Sequence, residues 1–343
     1  MVDTVVNQHI QYHLDYITDK KVFIVTMPDI VLDYSYFVST QDITVDMTYI
    51  NSCPDEYDFI LIDYSTNYIR AGIEEILYNQ LKQYPISKPW AIITSEFKYY
   101  YQPHEHIIYY PIYLIDGLDK GGNTPIEIKN QRSHSLCFLT YHYHWHRLLA
   151  MVEIYKNIGL DQCLVNLPTL ASLSESQQQS LRNSRRYLTT DEQKHIDAMF
   201  ELAPLVADAT DSQHEIVNLE NRAFYDSYIN VFTESDYPAP FATEKCVKPF
   251  LSGQFYAVIG NPAMYQHLRD LGFDLLDDYL PISTDKDLRV VLGKLTESIA
   301  NLIPNMQEVW NETYNRRLHN YNLSRSTQLR NTLTNSLRIK LKE

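Results

Sequence analysis

Glycine is scarce in this chain: nine residues in 343, against twenty-eight tyrosines. No Gly-x-Gly-x-x-Gly or Walker-type segment is present, which excludes the glycine-lined loops that cradle dinucleotides and nucleoside triphosphates. Cysteine is scarce too. Cys53, Cys137, Cys163 and Cys246 show no Cys-x-x-Cys spacing, so they read as small buried residues in a reducing compartment rather than zinc ligands or a redox pair. No apolar run reaches the length of a membrane span, and the opening residues do not read as a signal peptide, so the expected location is the cytoplasm. Positive charge is in deficit. With 29 Lys and Arg against 43 Asp and Glu, the formal net charge is -14, which argues against a surface that wraps nucleic acid as a whole. The deficit is uneven: residues 311–343 hold seven Lys/Arg and two Glu, a local excess of positive charge. No internal repeat of fixed period is visible.

What remains is an ordinary globular composition, 45% hydrophobic and 21% charged, in a chain long enough for two domains. Short apolar runs at 21–26 (KVFIVT), 59–63 (FILID), 90–94 (WAIIT) and 107–115 read as strands, with an amphipathic helix over 72–83. Strands alternating with helices at these lengths predict α/β architecture with a parallel sheet. Residues 118–132 (LDKGGNTPIEIKNQR) have linker composition, which places a boundary there. The expected domains are 1–125, 133–303 and a helical, basic tail 304–343. That tail is expected to pack back across the first domain, or else to contact nucleic acid or another anionic surface.

The second half is organised around residues 230–279. A strand at 229–232 leads to a polar loop and to Ala242-Thr243-Glu244-Lys245, where Thr243 is the expected N-cap of a helix burying Val247, Phe250 and Leu251. Gly253 closes that helix, 255–259 reads as a buried strand, and Asn261-Pro262 opens a further helix that Gly272 stops. A helix opening on Thr-Glu-Lys presents backbone N–H groups, the positive dipole end and an ammonium at one place, which suits a diphosphate. Glu244, and Glu234 one loop upstream, are candidate acceptors for ribose or sugar hydroxyls. A capped surface helix is the plainer reading of the tripeptide alone.

Three further segments bear on chemistry. His142, His144 and His146 alternate, which on an extended strand would align three imidazoles as metal ligands, but no nearby Cys, Asp or Glu completes a set. Asp285-Lys286-Asp287 precedes an expected helix over 288–302 and reads as an N-cap cluster rather than a metal site. A polar helical insertion over 172–205 carries a Thr-x-x-Gln capping box at Thr190 and Gln193, with Arg182, Arg185 and Arg186 on a solvated face.

The stretch Phe241-x-Thr243-Glu244-Lys245, Lys248-Pro249, Ser252-Gly253-Gln254, Gly260-Asn261-Pro262 and Leu268-x-x-Leu271-Gly272-Phe273-Asp274 resembles the donor-binding half of fucosyltransferase-like, family-10-type glycosyltransferases, many of them in bacteriophages. Leu136-Cys137-Phe138-Leu139, His146-Arg147-Leu148 and Gly159-Leu160 to Asn166 are similar to an earlier strand, helix start and strand of the same proteins. The resemblance implies a GT-B-like fold, two Rossmann-like domains facing a cleft, with transfer of a sugar from a nucleotide-sugar donor to an acceptor hydroxyl. The expected donor-binding residues are Arg147, Glu234, Thr243, Glu244 and Lys245: at the start of a helix over 145–157 the Arg147 fork can bind diphosphate oxygens opposite Lys245, and two cations with a helix N-terminus neutralise the leaving group with neither metal nor cofactor. The resemblance implies Glu96, just after a first-domain strand, as the catalytic base. Asp63 is a second acid at a strand end, and for either residue a solvated loop acid is the plainer reading. The acceptor is a glycan, a small molecule or, in a phage enzyme, DNA carrying hydroxymethylated bases; a phage enzyme would work in the host cytoplasm. A non-catalytic sugar-nucleotide-binding or virion-associated protein is the alternative.

Overall fold

The computed structural model describes residues 10–27 except 13 and 16, 45–65, 72–122, 131–140, 142–205, 223–234, 242–283 and 285–342. The chain forms two compact units. The first comprises Met1–Asp116, Pro238–Thr243 and Thr327–Glu343; the second comprises Gly117–Tyr237 and Glu244–Ser326. Among the described residues each holds one parallel four-stranded sheet, so the architecture is α/β.

In the first unit the strands run in chain order: β1 (Val22–Thr26), β2 (Phe59–Asp63), β3 (Trp90–Thr94) and β4 (Ile107–Tyr109). β2 and β3 are buried at every position, which is why their first four residues, FILI and WAII, are apolar without alternation, each strand closing on one buried polar residue, Asp63 or Thr94. Their registers pair Ile60 with Trp90 and Ile92 with Ile107. The helix Ile73–Leu81 starts after Gly72, whose φ of 87° lies in the left-handed region that glycine enters most freely. The helix Thr327–Lys342 packs against β4, burying Leu329, Leu333, Leu337 and Leu341 at four-residue spacing.

Two expectations fail at the end of this sheet. The fourth strand stops at Tyr109 instead of running to 115, and a helix, Ile112–Gly122, begins just after Pro111. Proline sets φ for a helical first turn, and Ile112, Ile115 and Leu118 then fall inward at three-residue spacing. The first part of the segment that reads as linker, 118–122, is therefore helical; its residues 123–130 lie outside the described residues.

In the second unit the order is β6 (Cys163–Val165), β5 (His134–Phe138), β7 (Ser227–Thr233) and β8 (Phe255–Ile259). The helix Trp145–Asn157 packs against Thr190–Glu201 and Leu288–Leu302 over a core that includes Leu149, Ile196, Leu292 and Ile299. Helix starts follow the expected chemistry at Asn261, which accepts from Ala263 N–H at 2.9 Å, and at Asp287, which accepts from Arg289 N–H at 2.9 Å. The insertion holds two capping boxes, Ser174 with Gln177 and Thr189 with Glu192. The second sits one residue before the expected Thr190 and Gln193, because Glu192 both accepts the Thr189 N–H at 2.6 Å and pairs with Arg289 at 2.8 Å.

Residues 304–326 belong to the second unit and Thr327–Glu343 to the first, so the tail is shared between them. Two of its seven Lys/Arg are engaged within the protein. Arg316 pairs with Asp274 at 2.5 Å and Asp278 at 2.7 Å, and Arg317 is buried. Among the described residues no helix is long and apolar enough to cross a membrane.

Candidate functional site

Parallel strands deliver polar residues at their carboxyl ends, and β7 does so with Thr233 and Glu234. The helix Trp145–Asn157 starts beside them. Its His146 ring lies 3.2 Å from the Glu234 carbonyl oxygen, and Arg147 Nε donates to Thr233 Oγ1 at 3.0 Å. The two Nη atoms of Arg147 make long contacts to the His142 carbonyl at 3.4 Å and the Glu234 carbonyl at 3.5 Å. Arg147 is only 6% exposed, so its fork faces the protein rather than open solvent. Burial lowers its pKa to about 10, against the pull of Glu234 and Glu244, and leaves it charged at neutral pH.

The Glu234 side chain is fully buried and accepts a hydrogen bond from the Cys246 thiol at 2.7 Å. Gly260, at the end of β8, makes room for it. A side chain there would meet Met264 Cε at 2.9 Å and Glu234 Cγ at 3.3 Å. Glu244 pairs with Lys245 at 3.1 Å, and its backbone is approached so closely by Gly117 that an added Cβ would lie 3.1 Å from Glu244 Cα. The Lys245 side chain keeps 29% of its surface. Burial pulls its pKa down, but Glu244 and Glu234 pull harder in the other direction, so the ammonium is held charged. Lys248 is lowered, by burial first and then by Lys245, against Glu244. Arg147, Glu234, Glu244 and Lys245 are thus electrostatically coupled at one strand end.

Three expectations change here. No helix opens at Thr243, which is buried and precedes one 3-10 turn, Glu244–Cys246. The helix that follows, Lys248–Leu251, is four residues long. Pro249 lacks the N–H that a continuous helix would bond to the Lys245 carbonyl, so the segment breaks into two short turns and supplies no helix dipole. The charge for an anion must come from side chains. Second, the histidines do not line a strand. His144 is the N-cap of the helix, His146 lies in its first turn, and their rings stack at 5.7 Å. Burial, then Arg147, lowers His146 to about 3 and His144 to about 4, and lowers His142 as well, so all three are neutral at pH 7. Among the described residues no group of three or more His, Cys, Asp or Glu is placed to hold a metal ion. Third, Arg147 does not present the open fork expected at the start of its helix.

Glu96 belongs to the first unit, two residues beyond β3. It is half-buried, and its N–H donates to Thr94 Oγ1 at 3.2 Å. Asp63 has a local structural task, accepting from the Ser65 N–H at 2.8 Å and hydroxyl at 2.6 Å. Sequence reading missed Thr233, Cys246 and Glu74. Glu74 left a signal: it falls three and seven residues before Leu77 and Leu81, on the buried face of its helix.

No protein-family model matches the chain, and no curated protein matches it. Among solved structures, the crystal structure of a glycosyltransferase from Rickettsia africae ESF-5 is similar at 12% identity and a TM-score of 0.42, covering 82% of this chain and 70% of that one. A likeness of that degree carries no argument about family or activity.

Proposed function

We propose that this chain is a glycosyltransferase that moves a sugar from a nucleotide-sugar donor to an acceptor hydroxyl, with the two units as the domains of a GT-B enzyme. The observation that supports it most is the meeting of Arg147 and Lys245, from two separate blocks of the fucosyltransferase-like resemblance, at one strand end with Glu234 and Glu244. Such a cluster holds fixed positive charge where a nucleoside diphosphate leaves. Lys245, the more accessible cation, contacts the diphosphate directly. Arg147 acts through its charge from within the unit and holds the Thr233 and His142 backbone and side-chain groups in place. Glu244 accepts from donor hydroxyls and returns to Lys245 when the site is empty.

In the transfer, Glu96 accepts the proton of the acceptor hydroxyl as that oxygen bonds the anomeric carbon. The bond from that carbon to the diphosphate breaks, and the leaving oxygen takes the electron pair. Lys245 and Arg147 stabilise the charge that develops there. The roles assigned here need no metal. A DNA acceptor draws less support than a glycan or small molecule, because Arg316 and Arg317 of the basic tail are engaged inside the protein.

The test is a panel of nucleoside diphosphates by calorimetry, followed by turnover of the matching nucleotide sugars. The expected result is binding of at least one diphosphate and slow hydrolysis of its sugar donor. Binding without any turnover would favour a non-catalytic sugar-nucleotide-binding protein, and no binding across the panel would overturn the reading.

A further inference from the structure

Two glutamates meet at the carboxyl end of β3. Glu74, on the helix Ile73–Leu81, is 2% exposed, and its Oε1 accepts from Thr94 Oγ1 at 2.6 Å. The same Thr94 oxygen accepts the Glu96 N–H at 3.2 Å, so one hydroxyl ties both acids to the strand end. The two carboxyl groups are within hydrogen-bonding reach of each other. Yet, among the described residues, Oε2 of each is buried and has no hydrogen-bond donor. Ionised carboxylates only accept, so two of them cannot satisfy one another, and a buried acceptor left unbonded is costly. One proton between the pair turns one oxygen into a donor and satisfies both.

We propose that Glu74 and Glu96 share a single proton at neutral pH, carried on Glu74, and that Glu74 is a positioning residue that holds Glu96 by donating to it. The proposal rests on the reading of Glu96 as the base, and it specifies how that base is kept ionised and oriented. The asymmetry follows from the surroundings. Glu74 is the more buried, which favours its neutral form, whereas Glu96 is half-exposed, near the Lys98 ammonium, and accepts from the Gly72 backbone. Burial accordingly raises Glu74 to about 7, with the Thr94 bond opposing and the Glu96 charge reinforcing the rise. Burial also raises Glu96, and the hydrogen bond from Glu74 opposes it. Among the described residues, the other charged and titratable groups facing the pair are Glu75, ion-paired with Lys98, and the buried Tyr99 hydroxyl. As pH rises beyond the titration of Glu74, two adjacent charges replace a hydrogen bond and Glu96 loses its anchor. The pair therefore titrates as a unit with two macroscopic steps.

The experiment is a carbon-NMR pH titration of the full chain labelled at the glutamate carboxyl carbons, in wild type, Glu74→Gln and Glu96→Gln, with no donor or acceptor added. Wild type should show one glutamate still titrating near pH 7. That titration should vanish in Glu74→Gln, whose amide can donate to Glu96 and accept from Thr94, and should move down toward the ordinary carboxylate range in Glu96→Gln. A merely structural Glu74 would titrate at the same pH with or without Glu96. Absence of the high titration in wild type, its persistence in Glu74→Gln, or an unmoved value in Glu96→Gln would each overturn the shared proton. Because no ligand enters the measurement, a failed transferase screen leaves this result standing, and the reverse also holds.

Discussion

The Arg317 guanidinium sits over the Trp310 ring, 3.2 Å from its centroid, with no carboxylate among its hydrogen-bond partners in the described residues. It donates instead to the carbonyls of Trp310 at 2.6 Å and Gly253 at 3.0 Å, joining the helix Tyr314–Ser324 to the turn that enters β8. Arg132 approaches the same ring at 4.6 Å and donates to the carbonyls of Phe224, Ser227 and Ser252. Two buried cations thus close the backbone of the second unit around one indole.

Removing Arg317 leaves those carbonyls unbonded and a void against Trp310. Arg317→Ala should lower unfolding stability by about 3 kcal/mol, seen as a lower urea midpoint. Arg317→Lys should recover less than half of that loss, since an ammonium cannot reproduce a planar fork stacked on an aromatic ring. A midpoint for the lysine variant equal to wild type would contradict the geometry.

Lys245→Ala removes the accessible cation of the cluster at β7. The expected loss is roughly 2–4 kcal/mol in transition-state stabilisation, with weaker nucleoside diphosphate binding and an unchanged melting curve. If Lys245 is only a surface residue paired with Glu244, the change should stay under about 0.5 kcal/mol and leave calorimetry untouched.

Chelation offers an independent check on how the leaving group is neutralised. With Lys245 and Arg147 as the compensating charges, turnover should persist after EDTA treatment. Loss of activity on chelation, restored by zinc or manganese, would redirect attention to His142, His144 and His146.

Stability should bend with pH for two separable reasons. Glu74 is raised from 4.5 to about 7 on folding, so the native state holds the extra proton, and its contribution is lost as pH climbs from about 4.5 through 7. His146 is lowered from 6.5 to about 3, so the unfolded state binds the extra proton, and stability is lost as pH falls from about 6.5 toward 3. Urea midpoints across that range should show Glu74→Gln flattening the first slope and His146→Gln weakening the second. A Glu74→Gln curve parallel to wild type would remove Glu74 as the source.

The sheets were legible because parallel strands covered on both faces must be continuously apolar, and FILID, WAIIT and FYAVI are bounded by polar or turn-forming residues. The helix Ile112–Gly122 was not legible, since its closing Gly121-Gly122 and the preceding tyrosine-rich run read as linker and strand. At the candidate site, residue types were readable but accessibility was not. Arg147 looks like an open fork in sequence, and only the packing of β7 against the start of the helix Trp145–Asn157 turns it inward. Lys248-Pro249 carried a visible reason to break the helix after Thr243, a proline at an interior position. Glu74 hid in a first helical turn, where an acid is ordinary and its burial is set by a distant strand end.

The last helix, Thr327–Lys342, covers β4, although more than two hundred residues of chain are made between the two. A ribosome delivers β1 to β4 early and their cover last. During that interval β4 lacks the helix that packs on it, while the second unit has every element it needs once residue 326 has emerged. Vectorial synthesis therefore favours completion of the later-encoded unit first, and the earlier one is the part that stays open longest.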